Sequence, residues 1–167
     1  MKRNKRICLV QPSCLMSYQS SRTVWPPMGL MLLAPCLREA GYEACIVDGL
    51  YEGFDDTLAV DESTYHFGQT PYHLATRILE TKPDVVGFSI LFPNQLQSAR
   101  ATARLLRESG LNLFLLWGGP FVTLNVSLFD DNDLVDGVIL GEAEENLPVF
   151  LDLALLGRIQ GGPLPPG

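Results

Sequence analysis

Residues able to do chemistry are few and scattered in this chain of 167 residues. His66 and His73 are its two histidines, and neither has neighbours that suggest a triad; each reads as a solvated or half-buried ring. The four cysteines, Cys8, Cys14, Cys36 and Cys45, form no C-x-x-C pair or other clustered spacing, so no zinc or iron–sulfur site is expected from them. Cys8, Cys36 and Cys45 lie in apolar runs, where a reduced, buried thiol is the expectation. Cys14 falls in a loop and is the one cysteine kept as a candidate ligand. Glu142, Glu144 and Glu145 gather where a helical pattern begins, and negative charge there is favourable by about 0.3–1 kcal/mol. That accounts for Glu144 and Glu145 better than for Glu142, which directly follows Gly141.

The most informative stretch is LFLLWGGPFVTLN, residues 113–125. An apolar run passes straight into Gly118-Gly119-Pro120 and turns apolar again. Glycine in such a place means an unusual backbone angle or something approaching the main chain closely.

The elements that must position these residues alternate. Strand patterns occur at ICLVQ (7–11), EACIVD (43–48), DVVGFSI (84–90), NLFLLW (112–117) and DGVIL (136–140), apolar on both faces as in a parallel sheet covered on two sides. Helix patterns fall between and after them at 28–40, 71–81, 94–109 and 144–156, with a shorter one around 124–132. The first and third end at Gly41 and Gly110, suited to left-handed caps. Pro35, inside the first, is expected to kink it. The fold class is therefore α/β: a flavodoxin-like (Rossmann-like), doubly wound, five-stranded parallel sheet with suggested strand order 2-1-3-4-5. Ligands of such sheets bind at the carboxyl ends of the strands, where Gly118-Gly119-Pro120 falls.

Two segments exceed a minimal sheet, residues 12–25 and the acidic 49–70; both are long for connections that usually run about 2–6 residues. Both emerge on the ligand side. Residues 1–157 are read as one domain and 158–167, ending in GGPLPPG, as a linker-like tail.

Bulk properties exclude several classes. A hydrophobic content of 47% fits a globular protein, and the net charge of -7 argues against a nucleic-acid partner. Lys2, Arg3, Lys5 and Arg6 imitate a signal-peptide start, but the apolar run ICLV is too short, and no stretch approaches a membrane span. The expected location is cytoplasmic.

Familiar uses of this fold can be tested one by one. A phosphoacceptor receiver needs acidic residues after the first strand, an Asp after the third and a Lys after the fifth; Gln11-Pro12, Ser89 and Gly141-Glu142 stand there instead. A dinucleotide site needs G-x-G-x-x-G, which is absent. The Ser/Thr-rich run from Ser13 to Thr23 imitates a flavodoxin phosphate loop but contains no glycine.

Four segments in register carry a resemblance. WPPMGLMLLAPCLREAGYEACIVDG, KPDVVGFSILFPN, WGGPFVT and GEAEENLP resemble the cobalamin-binding domain at the N-terminus of cobalamin-dependent radical S-adenosylmethionine enzymes, over residues 7 to about 157. The resemblance implies bound cobalamin, held by Gln11, Pro12, Ser13 and Leu15 after the first strand, Ser89, Leu91, Phe92 and Asn94 after the third, Gly118, Gly119, Pro120 and Thr123 after the fourth, and Gly141 and Glu142 after the fifth. Gly118 and Gly119 are then expected to admit the nucleotide tail, with Ser89 and Thr123 offering it hydroxyls. Enlarging Gly119 is expected to abolish binding with little loss of fold.

Related mutase and methionine synthase domains carry Asp-x-His-x-x-Gly after the first strand, where the His ligates cobalt. No histidine stands in that loop here, and His66 lies in TYHFGQ instead. The expected cofactor is therefore tail-displaced cobalamin without His ligation, cobalt being held by the corrin and by no protein metal ligand. The C-x-x-x-C-x-x-C of an S-adenosylmethionine-cleaving [4Fe–4S] cluster is absent, so no catalytic residue is assigned and the chain is not expected to be an enzyme by itself. It is expected to be a fragment, a partner of a separate radical or methyl-transfer protein, or a stand-alone corrinoid carrier. Two alternatives stay open at this point: a small flavodoxin-like nucleotide- or flavin-binding domain, and a degenerate structural remnant.

Overall fold

The computed structural model describes residues 5–130 and 133–155. In chain order they form β1 (Arg6–Gln11), β2 (Cys14–Ser17), α1 (Met28–Glu39), β3 (Glu43–Asp48), β4 (Thr57–Ala59), β5 (Thr64–Phe67), α2 (Pro71–Glu80), β6 (Val85–Ser89), α3 (Leu96–Glu108), β7 (Phe114–Gly118), α4 (Pro120–Leu124), β8 (Gly137–Val138) and α5 (Asn146–Leu155), with 3₁₀ turns at Pro93–Gln95 and Val126–Leu128. The tail from residue 158 lies outside the described residues.

The main sheet is parallel and runs β3-β1-β6-β7-β8, which is the expected order 2-1-3-4-5. Strand alternation sends its side chains to two cores. Cys8, Val10, Val86, Phe88, Leu115 and Trp117 pack under α2 and α3. Ile7, Leu9, Val85, Leu116 and Ile139 face the other way, under α1 and α5, with Leu30, Leu33, Leu37 and Phe150. A pleat exposes alternate residues to opposite faces, so near-continuous apolar runs are what a sheet covered on both sides requires.

Gly41 and Gly110 do adopt φ of 94° and 72° just beyond α1 and α3. Pro35 lies on the exposed face of α1, which continues unbroken from Met28 to Glu39. The carbonyl of Met31 that loses its partner therefore faces water. The expected short helix over 124–132 is displaced as far as residue 130, residues 131–132 lying outside the described residues: Pro120 starts α4 earlier, Asn125 leaves the helical region at φ -135°, and a 3₁₀ turn follows over Val126–Leu128. β8 pairs over two residues, shorter than the run DGVIL suggested.

The larger difference concerns the two long segments. They are not plain loops: β2, β5 and β4 make a second, antiparallel sheet in that order, Cys14 facing Phe67 and Leu15 facing His66. It has its own small core of Cys14, Leu50, Tyr65 and Phe67, against which Met16 and Val24 pack. Cys14, expected in a loop as a candidate ligand, is thus a strand residue with 6% exposure, and burial pushes its thiol up to about 11.

Candidate functional site

Beyond the carboxyl ends of β6, β7 and β8, on the α1/α5 face of the sheet, lies a cavity of ≈ 470 Å³. Its floor comes mainly from alternate strand residues, Leu9, Gly87, Ser89, Leu116 and Gly118, with Ile139 just after β8; Phe88 and Trp117 between them also border it. Gly29, Leu30 and Leu33 of α1 form one wall, and Ala143, Glu144 and Leu147 form the other. Gly119, Pro120, Thr123, Leu124, Gly141 and Glu142 line it between the strand ends.

Seven of the residues singled out in the sequence border this space: Ser89, Gly118, Gly119, Pro120, Thr123, Gly141 and Glu142. Gly118 lies opposite Ser89 in the β6–β7 ladder. The Ser89 hydroxyl has no hydrogen-bond partner among the described residues. The Thr123 hydroxyl is already engaged, donating to the Gly119 carbonyl at 3.2 Å and accepting from the Gly141 amide at 3.1 Å. It joins the turn after β7 to the turn after β8, holding two sides of the cavity together.

Gly119 has a structural reason that the sequence reading did not assign to it. Its φ is 100° and ψ 170°, a region almost restricted to glycine. An added Cβ would lie 2.7 Å from the Ile90 carbonyl oxygen and 2.9 Å from the Ile90 nitrogen. The fold itself requires glycine there, so the expectation that Gly119 could be enlarged at little cost to the fold is corrected. Gly118 differs: a Cβ would meet only Ile139, at 3.6 and 3.7 Å, which is ordinary contact. At Gly29 and Gly141 a Cβ would meet nothing within 4 Å. Space that the protein leaves beside Gly29, Gly118 and Gly141 is space for something else.

The other seven named residues, Gln11, Pro12, Ser13, Leu15, Leu91, Phe92 and Asn94, do not border the cavity. They form a second group at the ends of β1 and β6, tied by side chains. Gln95 accepts from the Leu91 and Phe92 amides at 2.9 and 3.2 Å and donates to the Pro12 carbonyl at 3.1 Å. Asn94 donates to the Leu15 carbonyl at 2.9 Å. Leu91 and Phe92 are exposed beside this latch, whereas Gln11, Pro12 and Ser13 are buried. The Ser13 hydroxyl is directed inward, 3.1 Å from His66 Nε2 and 2.6 Å from Ser98 Oγ.

His66 is correspondingly neither solvated nor half-buried. It is 6% exposed on β5, with Nε2 also 3.3 Å from Ser98 Oγ, and burial pushes its pKa below the usual imidazole value. His73 is exposed on α2, on the opposite side of the sheet from the cavity. Neither borders the cavity, and none of residues 49–70 does. Among the described residues no group of His, Cys, Asp and Glu could hold a metal ion.

Several lining residues escaped the sequence reading. Gly29 and Gly87 carried a signal, a glycine at a helix start and one inside a strand, where close approach is a common cause. Leu30, Leu33, Leu116, Ile139 and Leu147, and the 83% exposed Leu124, carried no signal of their own, because which of them meet across the cavity depends on the sheet order.

Residues 18–151 match the B12 binding domain. This chain belongs to the B12-binding domain family. The domain is 26% identical over 153 residues to the cytidylyl-2-hydroxyethylphosphonate methyltransferase of Streptomyces wedmorensis, covering 90% of this chain and 29% of that protein. It is 29% identical over 137 residues to an uncharacterized methyltransferase of Pyrococcus horikoshii, covering 81% of this chain and 26% of that protein. The chain thus spans under a third of the curated relatives it matches.

Among solved structures, the B12-binding domain resembles a novel cobalamin-binding protein from Desulfitobacterium hafniense (TM-score 0.56, 17% identity, 90% of this chain and 59% of that one). It also resembles the methanol:cobalamin methyltransferase complex MtaBC from Methanosarcina barkeri (TM-score 0.61, 13% identity, 94% and 48%). At these identities the likeness is one of fold. The cavity fits the family's ligand on its own terms: a slot with apolar walls, two glycines at its edge, Gly29 and Gly118, that no backbone angle or close contact requires, and a serine hydroxyl inside it without a partner among the described residues, whereas Gly141 is held to glycine by its φ of 71°. Among the described residues no helix is long and apolar enough to cross a membrane.

Proposed function

We propose that this domain binds cobalamin with its nucleotide tail displaced from cobalt and laid into the cavity between α1 and α5, and that it presents the corrin to a methyl-transfer partner of the radical S-adenosylmethionine kind. The observation that carries the reading is the cavity beside Gly29, Gly118 and Gly141, where the protein leaves room that it does not itself use. Ser89 and Glu142 offer polar contacts there, and Leu30, Leu33, Leu116 and Leu124 offer apolar ones. Leu91 and Phe92, held by Gln95, offer exposed apolar surface against the corrin. A slot on the α1/α5 face suits a ligand held beside the sheet edge, outside the carboxyl ends of the strands.

Bound cobalamin supplies a cobalt centre able to carry a methyl group. The chain's contribution is to orient that group and shield it from water. His66 is buried with Nε2 against Ser13 and Ser98, and neither it nor His73 borders the cavity, which supports a reading without imidazole ligation. The domain is read as residues 1–157, working in the cytoplasm, where free thiols such as these are ordinarily held reduced at rest. Any catalytic activity belongs to its combination with the partner.

The test is an absorbance titration with hydroxocobalamin followed by desalting, on the wild type and on Gly118→Leu. Retained colour with the spectrum of tail-displaced cobalamin, lost in the variant while its circular dichroism is unchanged, supports the proposal. Loss of all corrin from folded wild type would overturn it. Retained flavin in place of corrin would favour the nucleotide-binding alternative.

A further inference from the structure

Cys8 and Cys45 face each other on neighbouring strands. They are directly opposite in the parallel β1–β3 ladder, and both side chains turn to the α2/α3 face of the sheet. Adjacent strands lie about 4.8 Å apart. That spacing falls within the Cα separation of about 4.4–6.8 Å that a disulfide bridges. Both thiols are free. Cys8 is fully buried at 0% exposure, whereas Cys45 sits on the edge strand β3 and is partly open to solvent.

Their surroundings make the two thiols unequal. Cys45 is held down to about 6, chiefly because its thiolate accepts a hydrogen bond from the Cys8 thiol, with help from Thr81, Arg77 and Arg38. The same hydrogen bond, together with burial, raises Cys8. Arg77 also pairs with Glu52 and Glu80, which fixes its guanidinium at this end of α2. One thiol is thus partly open to solvent and activated, and the other is protonated in contact with it. Redox-active cysteines commonly combine a reactive thiolate with a resolving thiol in this way.

We propose that Cys8 and Cys45 form a redox-active dithiol that a peroxide converts to a disulfide tying β1 to β3. The Cys45 thiolate attacks one peroxide oxygen and becomes a sulfenic acid, while the other oxygen takes a proton and leaves as water. The Cys8 sulfur then gives up its proton and attacks the Cys45 sulfur. The S–S bond forms and hydroxide departs, taking the released proton as a second water. Two thiols are oxidised by two electrons, and hydrogen peroxide is reduced to two waters. The bond closes the β1–α1–β3 unit, whose helix supplies the wall of the cavity formed by Gly29, Leu30 and Leu33.

The experiment treats the native full chain with hydrogen peroxide at pH 7, blocks remaining thiols by alkylation, and maps peptides without reduction. The expected product is a Cys8–Cys45 linked peptide two hydrogens lighter than its parts, reversed by dithiothreitol. In Cys8→Ala, Cys45 is expected to pass on to sulfinic acid. Before oxidation, iodoacetamide should modify Cys45 about tenfold or more faster than Cys14. Wild-type Cys45 that stays unreactive, ends as sulfinic acid beside a reduced Cys8, or cross-links to Cys14 or Cys36 would overturn the proposal.

Discussion

The Cβ that Gly119 lacks would stand 2.7 Å from the carbonyl oxygen of Ile90, and its neighbour Gly118 has no such conflict. Two adjacent glycines in one turn therefore answer to different causes. Gly119 is required by the backbone, and Gly118 lines the cavity without any such requirement. Gly119→Ala is expected to destabilise the fold by about 2 kcal/mol, lowering Tm by roughly 4–8 °C. Gly118→Ala should leave Tm within about 1 °C or 2 °C, since its new contacts are ordinary ones. Thermal melts of the two variants side by side check this, and equal losses would contradict it.

At Gly29, stability and binding should move in opposite directions. The residue lies in the first turn of α1 with nothing near its missing Cβ. Gly29→Ala should raise stability by about 0.5–1 kcal/mol through helix propensity and a less flexible unfolded chain. Gly29→Phe should project into the mouth of the cavity and weaken hydroxocobalamin binding about tenfold or more. Affinity unchanged in the Phe variant, measured by titration, would remove α1 from the site.

Burial of His66 has a pH consequence with a definite sign. Its folded pKa lies below the ordinary value of 6.5, so between the two the unfolded chain binds the proton and the native one does not. The contribution to stability is complete above about pH 7 and is lost as the pH falls through 6.5 toward the folded pKa. His66→Gln keeps a polar group near Ser13 and Ser98 but does not titrate. The difference between the Tm profiles of wild type and variant from pH 7.5 to 5.5 should narrow as pH falls. A constant difference would mean that His66 does not titrate in this range.

Gln95 makes three hydrogen bonds from a position only 2% exposed. Gln95→Leu leaves the Pro12 carbonyl and the Leu91 and Phe92 amides without it, at a cost of about 2 kcal/mol. Amide exchange at Leu91 and Phe92 should accelerate more than exchange within β6. A uniform acceleration across both would show that the latch is not local.

Much of the fold was legible because its signals are local. The apolar runs at 7–11 and 84–90 became β1 and β6, and Gly41 and Gly110 ended their helices as their type suggests. The flanking sheet was not legible. TYHF and CLMS are short, and their partner residues lie about fifty positions apart, as in Leu15 opposite His66. Periodicity has nothing to work on in four residues, and pairing at such distance leaves no local trace. The cavity was half legible for a related reason. Glycines at strand ends can be seen in a sequence, but that Leu33 and Leu147 stand across from each other depends on sheet order.

The small sheet of β2, β5 and β4 has a consequence for how a ligand is met. Ordering a free residue costs about 1–2 kcal/mol of backbone entropy, a heavy sum for segments as long as 12–25 and 49–70. Ladder hydrogen bonds and the core of Cys14, Leu50, Tyr65 and Phe67 settle that expense during folding. Whatever docks against the group at the ends of β1 and β6 meets β2 already set in place beside it, so its encounter rate should be governed by diffusion and orientation instead of by a segment that must first find its shape.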